Sequence, residues 1–356
     1  MNVTYPHMGY LTIPVYNMLS NLGIKVIEAP PITKRTVELG SLYSPESVCL
    51  PYKITMGNFI ESIEKGADTL LTVCGSGKCR LGFYNTVQKI ALAEKKPLQL
   101  HTINISENVL VNLYRLLRTL APNASRVSIA QNIAMTLKTL KALDKINDAK
   151  NHYGALTEDA DMIINTYHRG MQQLGNCHTF REINETCQHI IGDMDTATTV
   201  LAPPPVKIGL IGEFYLLLEP YVNHQLEDSL IKQGVEVKKF VYTGDWAYSQ
   251  AILHTLGLYN EETSYLKEAR PYLNYHVGGD GLKSVGNALW CAKNQFDGII
   301  HIYPFSCMPE VVAQYALKNI ARDYNIPILS LSIDEHASDV GITTRIEAFV
   351  DCLKRK

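Results

Sequence analysis

The sequence has no long apolar run and no marked charge imbalance. No stretch of about 18 consecutive apolar residues occurs, and residues 1–6 lack the charged and apolar regions of a secretory signal. The 33 basic and 35 acidic side chains give a formal net charge of −2, without an evident basic cluster. We therefore expect a cytoplasmic protein that binds neither membranes nor nucleic acid.

Two kinds of signature motif are also absent. There is no paired Cys-x2-Cys or His-x3-His, which makes a closed structural zinc site less favoured. There is no Gly-x4-Gly-Lys-Ser/Thr phosphate-binding loop, and the short run 209–212 is not sufficient to indicate nucleotide binding. We therefore expect that any ATP is hydrolysed by a partner.

Short apolar runs alternate with helical segments in both halves of the chain. Because strands separated by helices are typical of parallel sheets, this pattern predicts an α/β fold with two doubly wound, Rossmann-like domains. With 46% apolar residues, 356 residues are enough for two hydrophobic cores. The predicted strands are 24–28, 69–73, 97–100, 206–213, 235–237, 298–302 and 328–332.

The domain boundary is predicted from a change of pattern and a proline run. Residues from about 109 to 196 have helical spacing and few strand signals, which indicates a helical insert. Prolines 203–205 then form a stiff joint. We expect an N-terminal α/β domain, 1–202, that carries the insert, and a C-terminal α/β domain, 206–356.

Eight cysteines without an export signal indicate thiols or metal ligands rather than a disulfide framework. Cys49, Cys74, Cys79 and Cys307 lie in predicted turns at the carboxyl end of a sheet, the usual ligand site of open α/β folds. The remaining four fall in helical stretches, where core packing is the expected role. They are Cys177, Cys187, Cys291 and Cys352.

The surroundings of the four turn cysteines suit an inorganic group. Glycines 75, 77 and 82 leave the backbone around Cys74 and Cys79 free to wrap closely. Cys49 and Cys307 each stand beside prolines that precede a helix, and a helix N-terminus favours the thiolate form. An iron–sulfur cluster accounts for this pattern. Zinc, and buried or redox-active thiols, remain alternatives.

Polar candidates for the same region are Lys53, Arg80, Glu310 and Glu335. Arg80 comes first, because it directly follows a proposed ligand and its cation would offset the negative charge of a thiolate cluster. We take Arg80 and Glu310 as the candidate catalytic residues.

Segments along nearly the whole chain carry a resemblance to a known family. The sequence resembles the iron–sulfur components of the 2-hydroxyacyl-CoA dehydratase superfamily, in the activase-related branch of CoA protein activases and double-cubane cluster proteins. At the glycine loop the chain departs from the family pattern, since Ser76 stands where a cysteine or glycine is frequent. The resembling segments are 34–40, 44–53, 57–61, 79–84, 276–281, 304–310, 334–336 and 344–350.

The resemblance implies a cofactor and a ligand set. In that family cysteine thiolates hold the cluster, and Cys49, Cys79 and Cys307 match the family best, with Cys74 as the fourth expected ligand. Four cysteines favour a single 4Fe-4S cluster, and the alternative is a double-cubane 8Fe-9S cluster.

The resemblance also implies a role. An ATP-hydrolysing activator with its own Fe–S cluster would inject an electron, and this chain would be the electron-accepting, substrate-reducing component of a low-potential reductase or dehydratase. The substrate would be a small molecule such as an acyl thioester, and the chain would form a homodimer or heterodimer. The alternatives are a non-catalytic Fe–S electron carrier or cluster scaffold, and a redox-inert binding protein with buried cysteines.

Overall fold

The computed structural model describes residues 1–75, 78–93, 98–105, 107–198, 205–253 and 261–355. The chain divides into two compact units, one of Met1–Leu137 with Trp246–Asn260 and one of Lys138–Asp245 with Glu261–Lys356. Each unit contains a sheet of parallel strands, which confirms the predicted α/β class. Pro203 and Pro204 lie outside the described residues, and the domain boundary at this joint stays a prediction.

The strands are β1 (Val3–Thr4), β2 (Thr69–Cys74), β3 (Gln99–Asn104), β4 (Val206–Gly212), β5 (Val235–Lys239), β6 (Gly298–Pro304) and β7 (Ile328–Ile333). The helices up to the joint are α1 (Thr12–Asn21), α2 (Lys34–Leu42), α3 (Leu50–Glu64), α4 (Tyr84–Leu92), α5 (Val109–Leu120), α6 (Arg126–Tyr153), α7 (Ala160–Gly175) and α8 (Phe180–Thr196). Those beyond it are α9 (Phe214–Leu218), α10 (Leu226–Lys232), α11 (Thr243–Tyr248), α12 (Glu261–Ala269), α13 (Gly281–Lys293), α14 (Met308–Tyr324) and α15 (Asp339–Lys354).

The sheet of the first unit has the order β1-β2-β3. The strand predicted at 24–28 is reduced to one parallel bridge between Val26 and Val3. The Val3 N–H donates to the Lys25 carbonyl at 2.8 Å, and the Ile27 N–H donates to the Val3 carbonyl at 2.8 Å. With the Val26 segment counted as a strand, the order across the sheet is Val26 segment, β1, β2, β3. Numbered by their position in the chain, these strands are second, first, third and fourth.

The sheet of the second unit has the order β5-β4-β6-β7, which is again second, first, third, fourth. Every residue of the central strand β6 is buried, as expected for a strand covered by helices on both faces. The strands predicted at 206–213, 235–237, 298–302 and 328–332 are confirmed as β4 to β7, with ends that differ by one or two residues.

Helices cover both faces of the first sheet as well. Leu70 and Leu71 are neighbours on β2, so their side chains point to opposite faces. Leu70 packs with Phe59 of α3, whereas Leu71 belongs to a separate core with Leu117 of α5. The first unit is therefore also doubly wound.

The pair formed by α2 and α3 is packed at backbone contact distance. A methyl group on Gly57 would lie 1.9 Å from the Thr36 carbonyl oxygen, and one on Gly40 would lie 1.8 Å from the Lys53 carbonyl oxygen. The Thr36 hydroxyl also donates to the buried Glu61 carboxylate at 2.7 Å. These contacts fix the position of α3, and with it the helix start that follows Cys49.

Residues 109–196 contain α5 to α8, of which α6 spans 28 residues. The division between the compact units passes through α6, at Leu137. Within the described ranges, no helix has both the length and the apolar character needed to cross a bilayer.

Candidate functional site

Three of the four candidate cysteines are the residues immediately before a helix. Cys49 is at the N-cap position of α3 and Cys307 at that of α14, and Cys79 precedes the short 3-10 turn Arg80–Phe83 that leads into α4. In a parallel α/β sheet, helices begin at the edge where the strands have their carboxyl ends. Each thiol therefore lies at the carboxyl edge of the sheet in its own unit.

The same short sequence builds two of these helix starts. Cys49 is followed by Leu50 and Pro51, and Cys307 is followed by Met308 and Pro309. A proline in the first turn has the φ of a helix and lacks an N–H that would be unpaired there in any case. Both cysteines have a φ of −70° and an extended ψ, so each unit presents a thiol at the N-terminus of a helix.

Cys49 is buried and has a polar partner. Its side chain is in the core cluster that contains Tyr52 and Tyr84, and only 8% of the residue is exposed. The Cys49 Sγ lies 2.7 Å from the Tyr84 Oη. A hydroxyl donated to sulfur stabilises the thiolate, so Tyr84 belongs to the surroundings of this candidate ligand. Sequence reasoning missed this role, although Tyr84 ends a segment that carries the family resemblance.

Arg80 joins the turns that carry Cys79 and Cys49. Its Nη1 donates to the carbonyl oxygen of Ser47 at 2.6 Å. Ser47 is two residues before Cys49, and Arg80 directly follows Cys79. The side chain is exposed, so its charge lies at the surface beside both turns.

Cys74 differs from the other candidates because it ends a strand. It pairs in register with Asn104 of β3, and its carbonyl oxygen accepts a hydrogen bond from the Ile105 N–H at 2.9 Å. Burial, followed by the negative charge of Glu107, raises the pKa of its thiol. Ser76 and Gly77 of the predicted glycine loop lie outside the described residues.

The turn that carries Cys307 is held by backbone hydrogen bonds. The Cys307 N–H donates to the Pro304 carbonyl at 3.0 Å, and the Phe305 N–H donates to the Ile333 carbonyl at 2.7 Å. Ser306 between them has a φ of 62°, a left-handed conformation that few residues other than glycine adopt. The turn is thus fixed to the ends of both β6 and β7.

Glu310, in the first turn of α14, faces the interior. Glu310 and His301 of β6 are both 0% exposed, and the Glu310 Oε2 lies 2.8 Å from the His301 Nε2. The His301 ring stacks on the Tyr303 ring at a centroid distance of 4.8 Å, and Gln314 of the next turn donates to the Tyr303 hydroxyl at 2.6 Å. Side chains of β6 therefore hold the first two turns of α14.

A half-buried acidic group, Glu213, lies where the strand order of the second sheet reverses, between β4 and β6. Burial, followed by the charges of Asp280 and Glu310, raises the pKa of Glu213 to about 8. Asp280 directly precedes α13, accepts the Phe214 N–H at 3.1 Å and pairs with Lys283 at 3.1 Å. The Glu310 Oε1 has no hydrogen-bond partner among the described residues. Around neutral pH, Glu213 is therefore largely protonated.

The other polar candidates occupy different environments. Lys53 lies inside α3 and is only 4% exposed. Glu335 follows β7 and is half-buried.

The prediction for the helical cysteines is correct for two of four. Cys187 and Cys291 are buried, at 7% and 0% exposure. Cys352 is exposed on α15, so core packing is wrong for it, because it lies on the solvent side of an amphipathic helix. Cys177 is half-buried and follows the end of α7, where its thiol lies 3.4 Å from the Thr186 hydroxyl. It is therefore neither helical nor a core residue.

The donor chemistry suits an iron–sulfur cluster, since all eight cysteines are thiols without disulfides and three of them directly precede helices. Across the described part of the chain, however, no three His, Cys, Asp or Glu side chains are grouped so that they could hold a metal ion. The assignment of the ligands therefore depends on the type and location of the thiols.

Comparison with protein-family models gives a match in the second unit. Residues 289–353 match the protein-family model described as 2-hydroxyglutaryl-CoA dehydratase, D-component. The matched residues contain β6, α14 and β7, and therefore both Cys307 and Glu310. No curated protein matches the chain.

Proposed function

We propose that this chain, a component of the 2-hydroxyacyl-CoA dehydratase superfamily by its match over residues 289–353, is an iron–sulfur protein that accepts electrons and reduces a small substrate. The observation that carries the proposal is the placement of Cys49, Cys79 and Cys307. All three precede helices at carboxyl edges of parallel sheets, where α/β proteins bind their ligands.

Cys49, Cys74, Cys79 and Cys307 are the proposed thiolate ligands. A 4Fe-4S cluster needs four thiolates, whereas the alternative 8Fe-9S double-cubane cluster needs more. When bound, such a cluster supplies a centre that stores an electron at low potential. The half-exposed Cys177 and the exposed Cys352 are thiols outside the proposed set.

The protein's own residues prepare this environment. The Tyr84 hydroxyl supports the Cys49 sulfur, and the apolar cluster around Cys49 keeps water away from it. Arg80 holds the two turns together and places a cation beside them. Backbone N–H groups at the starts of α3 and α14 add donors that favour negative charge. Together these features favour the thiolate form over the thiol.

Glu310 is a positioning residue in this proposal. It is fully buried and bonded to His301, so it has no contact with solvent from which a substrate would arrive. Its role is to hold the first turn of α14, and thereby the turn that carries Cys307. Arg80 is exposed and remains the candidate for contact with a substrate, where its cation would pair with any negatively charged group that the substrate carries.

The electron would come from a separate activator in the cytoplasm that hydrolyses ATP and has its own iron–sulfur cluster. The chain has no phosphate-binding loop of the Gly-x4-Gly-Lys-Ser/Thr type. Driving an electron to a low potential needs an energy source, so ATP hydrolysis would occur in the partner. We also propose the activase-related branch of the superfamily, and assembly of this chain as a dimer.

The first test is anaerobic purification followed by iron and sulfide analysis. We expect a brown protein, and sharply lower iron in Cys49→Ala, Cys79→Ala and Cys307→Ala, because each variant removes a ligand. Cys74→Ala tests the fourth ligand. Cys352→Ala is the matched control, since this thiol is exposed on α15. Full iron content in the three ligand variants would refute the assignment.

The second test separates the substrate-reducing component from a simple electron carrier. The protein is mixed anaerobically with activator, reductant, substrate and either ATP or a non-hydrolysable analogue, and its visible and paramagnetic signals are followed. We expect reduction and turnover with ATP only. Reduction without turnover of any acyl thioester would favour the carrier, and equal reduction with the analogue would refute the need for ATP hydrolysis.

A further inference from the structure

One side of α14 presents large apolar side chains to solvent. Phe305, in the turn before the helix, is 65% exposed. On the helix itself, Met308 is 52% exposed, Val311 49% and Tyr315 76%. Aromatic side chains have a surface of about 150–250 Å² each, so Phe305 and Tyr315 alone expose roughly 200–350 Å². Exposed apolar patches of several hundred Å² often serve as interaction sites in soluble proteins, and this side of α14 has that size.

The exposed residues of α14 have the spacing of a helix pair. They follow one another at intervals of three, four, three and four residues, which is the a/d pattern of a coiled-coil seam. The opposite side of the helix is already packed into the core of the second unit. We call the exposed residues the α14 seam, and they are Met308, Val311, Tyr315, Lys318 and Arg322. The seam has the pattern that a second helix, approaching from outside, would pack against.

The charges along the seam favour a second copy of the same helix in antiparallel orientation. Lys318 and Arg322 are cationic and lie at the C-terminal end of the seam, whereas the three seam residues before them are uncharged. In a parallel pair of α14 helices, the Lys318 side chains of both copies would lie side by side and repel each other. In an antiparallel pair centred beside Ala313, they are separated by about 15 Å along the axis, since a helix rises 1.5 Å per residue. The helix dipoles also oppose each other in this orientation.

An antiparallel pair also matches the seam to itself. Residues that are equally far from Ala313 on opposite sides meet across a two-fold axis, so Val311 meets Tyr315 of the second copy, and the same contact occurs twice. Met308 meets Lys318 of the second copy in the same way. The methylene stem of a lysine covers apolar surface while its ammonium group stays in water, so the uncharged end of one seam is covered by the cationic end of the other.

We propose that a second copy of this chain packs antiparallel on the α14 seam. The inference deepens the proposed function, because it gives the dimer proposed there its surface, and it needs no bound cluster. Phe305 and Met308 stand on either side of Cys307, so the interface borders the turn that carries this proposed ligand. One helix face is a small interface, and we therefore expect a dissociation constant on the order of micromolar.

Sedimentation equilibrium of the full chain, with and without iron, tests the proposal. Tyr315→Asp should weaken the dimer about 30-fold or more, because an aromatic residue at the centre of the interface is replaced by an unpaired carboxylate. Val340→Asp is the matched control, since Val340 of α15 is 75% exposed in the same unit, and it should leave the dimer unchanged. A parent protein that stays monomeric far above micromolar concentration, or a Tyr315→Asp variant as dimeric as its parent, would overturn the proposal. So would a monomeric parent whose reduction by the activator is lost in Tyr315→Asp, because the seam would then bind the activator.

Disulfide cross-linking tests the orientation of the two helices. A mixture of Met308→Cys and Lys318→Cys chains, oxidised and mapped by mass spectrometry of its peptides, should contain a disulfide between position 308 of one chain and position 318 of another. Disulfides between two positions 308 or two positions 318, formed faster than the mixed one, would show a parallel pair and overturn the proposal. Iron analysis of the same samples keeps the two proposals apart. A monomer with full iron would overturn the dimer surface and leave the cluster ligands standing, whereas an iron-free antiparallel dimer would support the surface and refute the ligands.

Discussion

Replacing Glu310 by alanine should destabilise the second unit more than any exposed charge substitution. The change removes the carboxylate that lies 2.8 Å from the His301 Nε2, in a place where both residues are 0% exposed. His301 would remain buried in β6 without this partner, and a small cavity would form under the first turn of α14. The start of α14, and with it Cys307, would lose its fixed position.

The expected magnitude follows from burial. Removing one partner of a buried hydrogen-bonded pair typically costs about 1–3 kcal/mol, because the remaining polar group is desolvated and unsatisfied, and the cavity adds to this cost. Glu310→Gln keeps the shape and one acceptor oxygen, so we expect a loss of about 1 kcal/mol. Glu185→Ala is the control, because Arg181 and Glu185 form an exposed pair at 2.6 Å on α8. It should cost less than about 0.5 kcal/mol.

Urea unfolding followed by tryptophan fluorescence measures these losses in the unit concerned. The chain has two tryptophans. In a Trp246→Phe background, the signal comes from Trp290 of α13, whose ring packs against Phe240 and Phe296. If Glu310→Ala unfolds at the same urea concentration as its parent, the buried pair does not hold α14. If Glu310→Gln keeps stability and iron but loses turnover, Glu310 is a catalytic residue and the positioning role is wrong.

Two further predictions concern the Tyr84 hydroxyl and the half-buried Glu213. Tyr84→Phe removes the hydroxyl at the Cys49 sulfur, so we expect cluster iron to be retained and the reduction potential to become more negative in a redox titration. Tyr52→Phe is the control and should leave the potential unchanged, because the buried Tyr52 hydroxyl has no partner among the described residues. Equal potentials in Tyr84→Phe and its parent would contradict the role of Tyr84. Because burial raises the pKa of Glu213 from 4.5 to about 8, the folded state binds an extra proton between these values and stability should fall as pH rises through this range. Glu213→Gln should flatten that fall in urea unfolding measured across the range, and an unchanged pH profile would contradict it.

Much of the fold was predictable because periodicity is a local property. The runs that became β4 to β7 are apolar, of strand length, and separated by helical segments, so a parallel sheet follows from the order of elements. The strand β1, with two residues, is too short to give a periodic signal, and the run at 24–28 forms only one bridge. Both exceptions lie on the β1 side of the first sheet. There a strand is identified by its backbone hydrogen bonds to a neighbouring strand, and not by an apolar pattern in its sequence.

For the candidate site, the sequence by itself determined which thiols precede helices, since a cysteine followed two residues later by proline and then by a helical pattern is a local signal at both Cys49 and Cys307. Only the tertiary structure decided what those thiols and acids contact. Cys49 meets Tyr84, which is 35 residues away, and Glu310 is buried because His301 approaches it from a separate element. Nothing in the sequence around Glu310 distinguishes a surface acid from this buried one. Burial and hydrogen bonding depend on the elements that pack around a residue, and packing brings together residues that are distant in the chain.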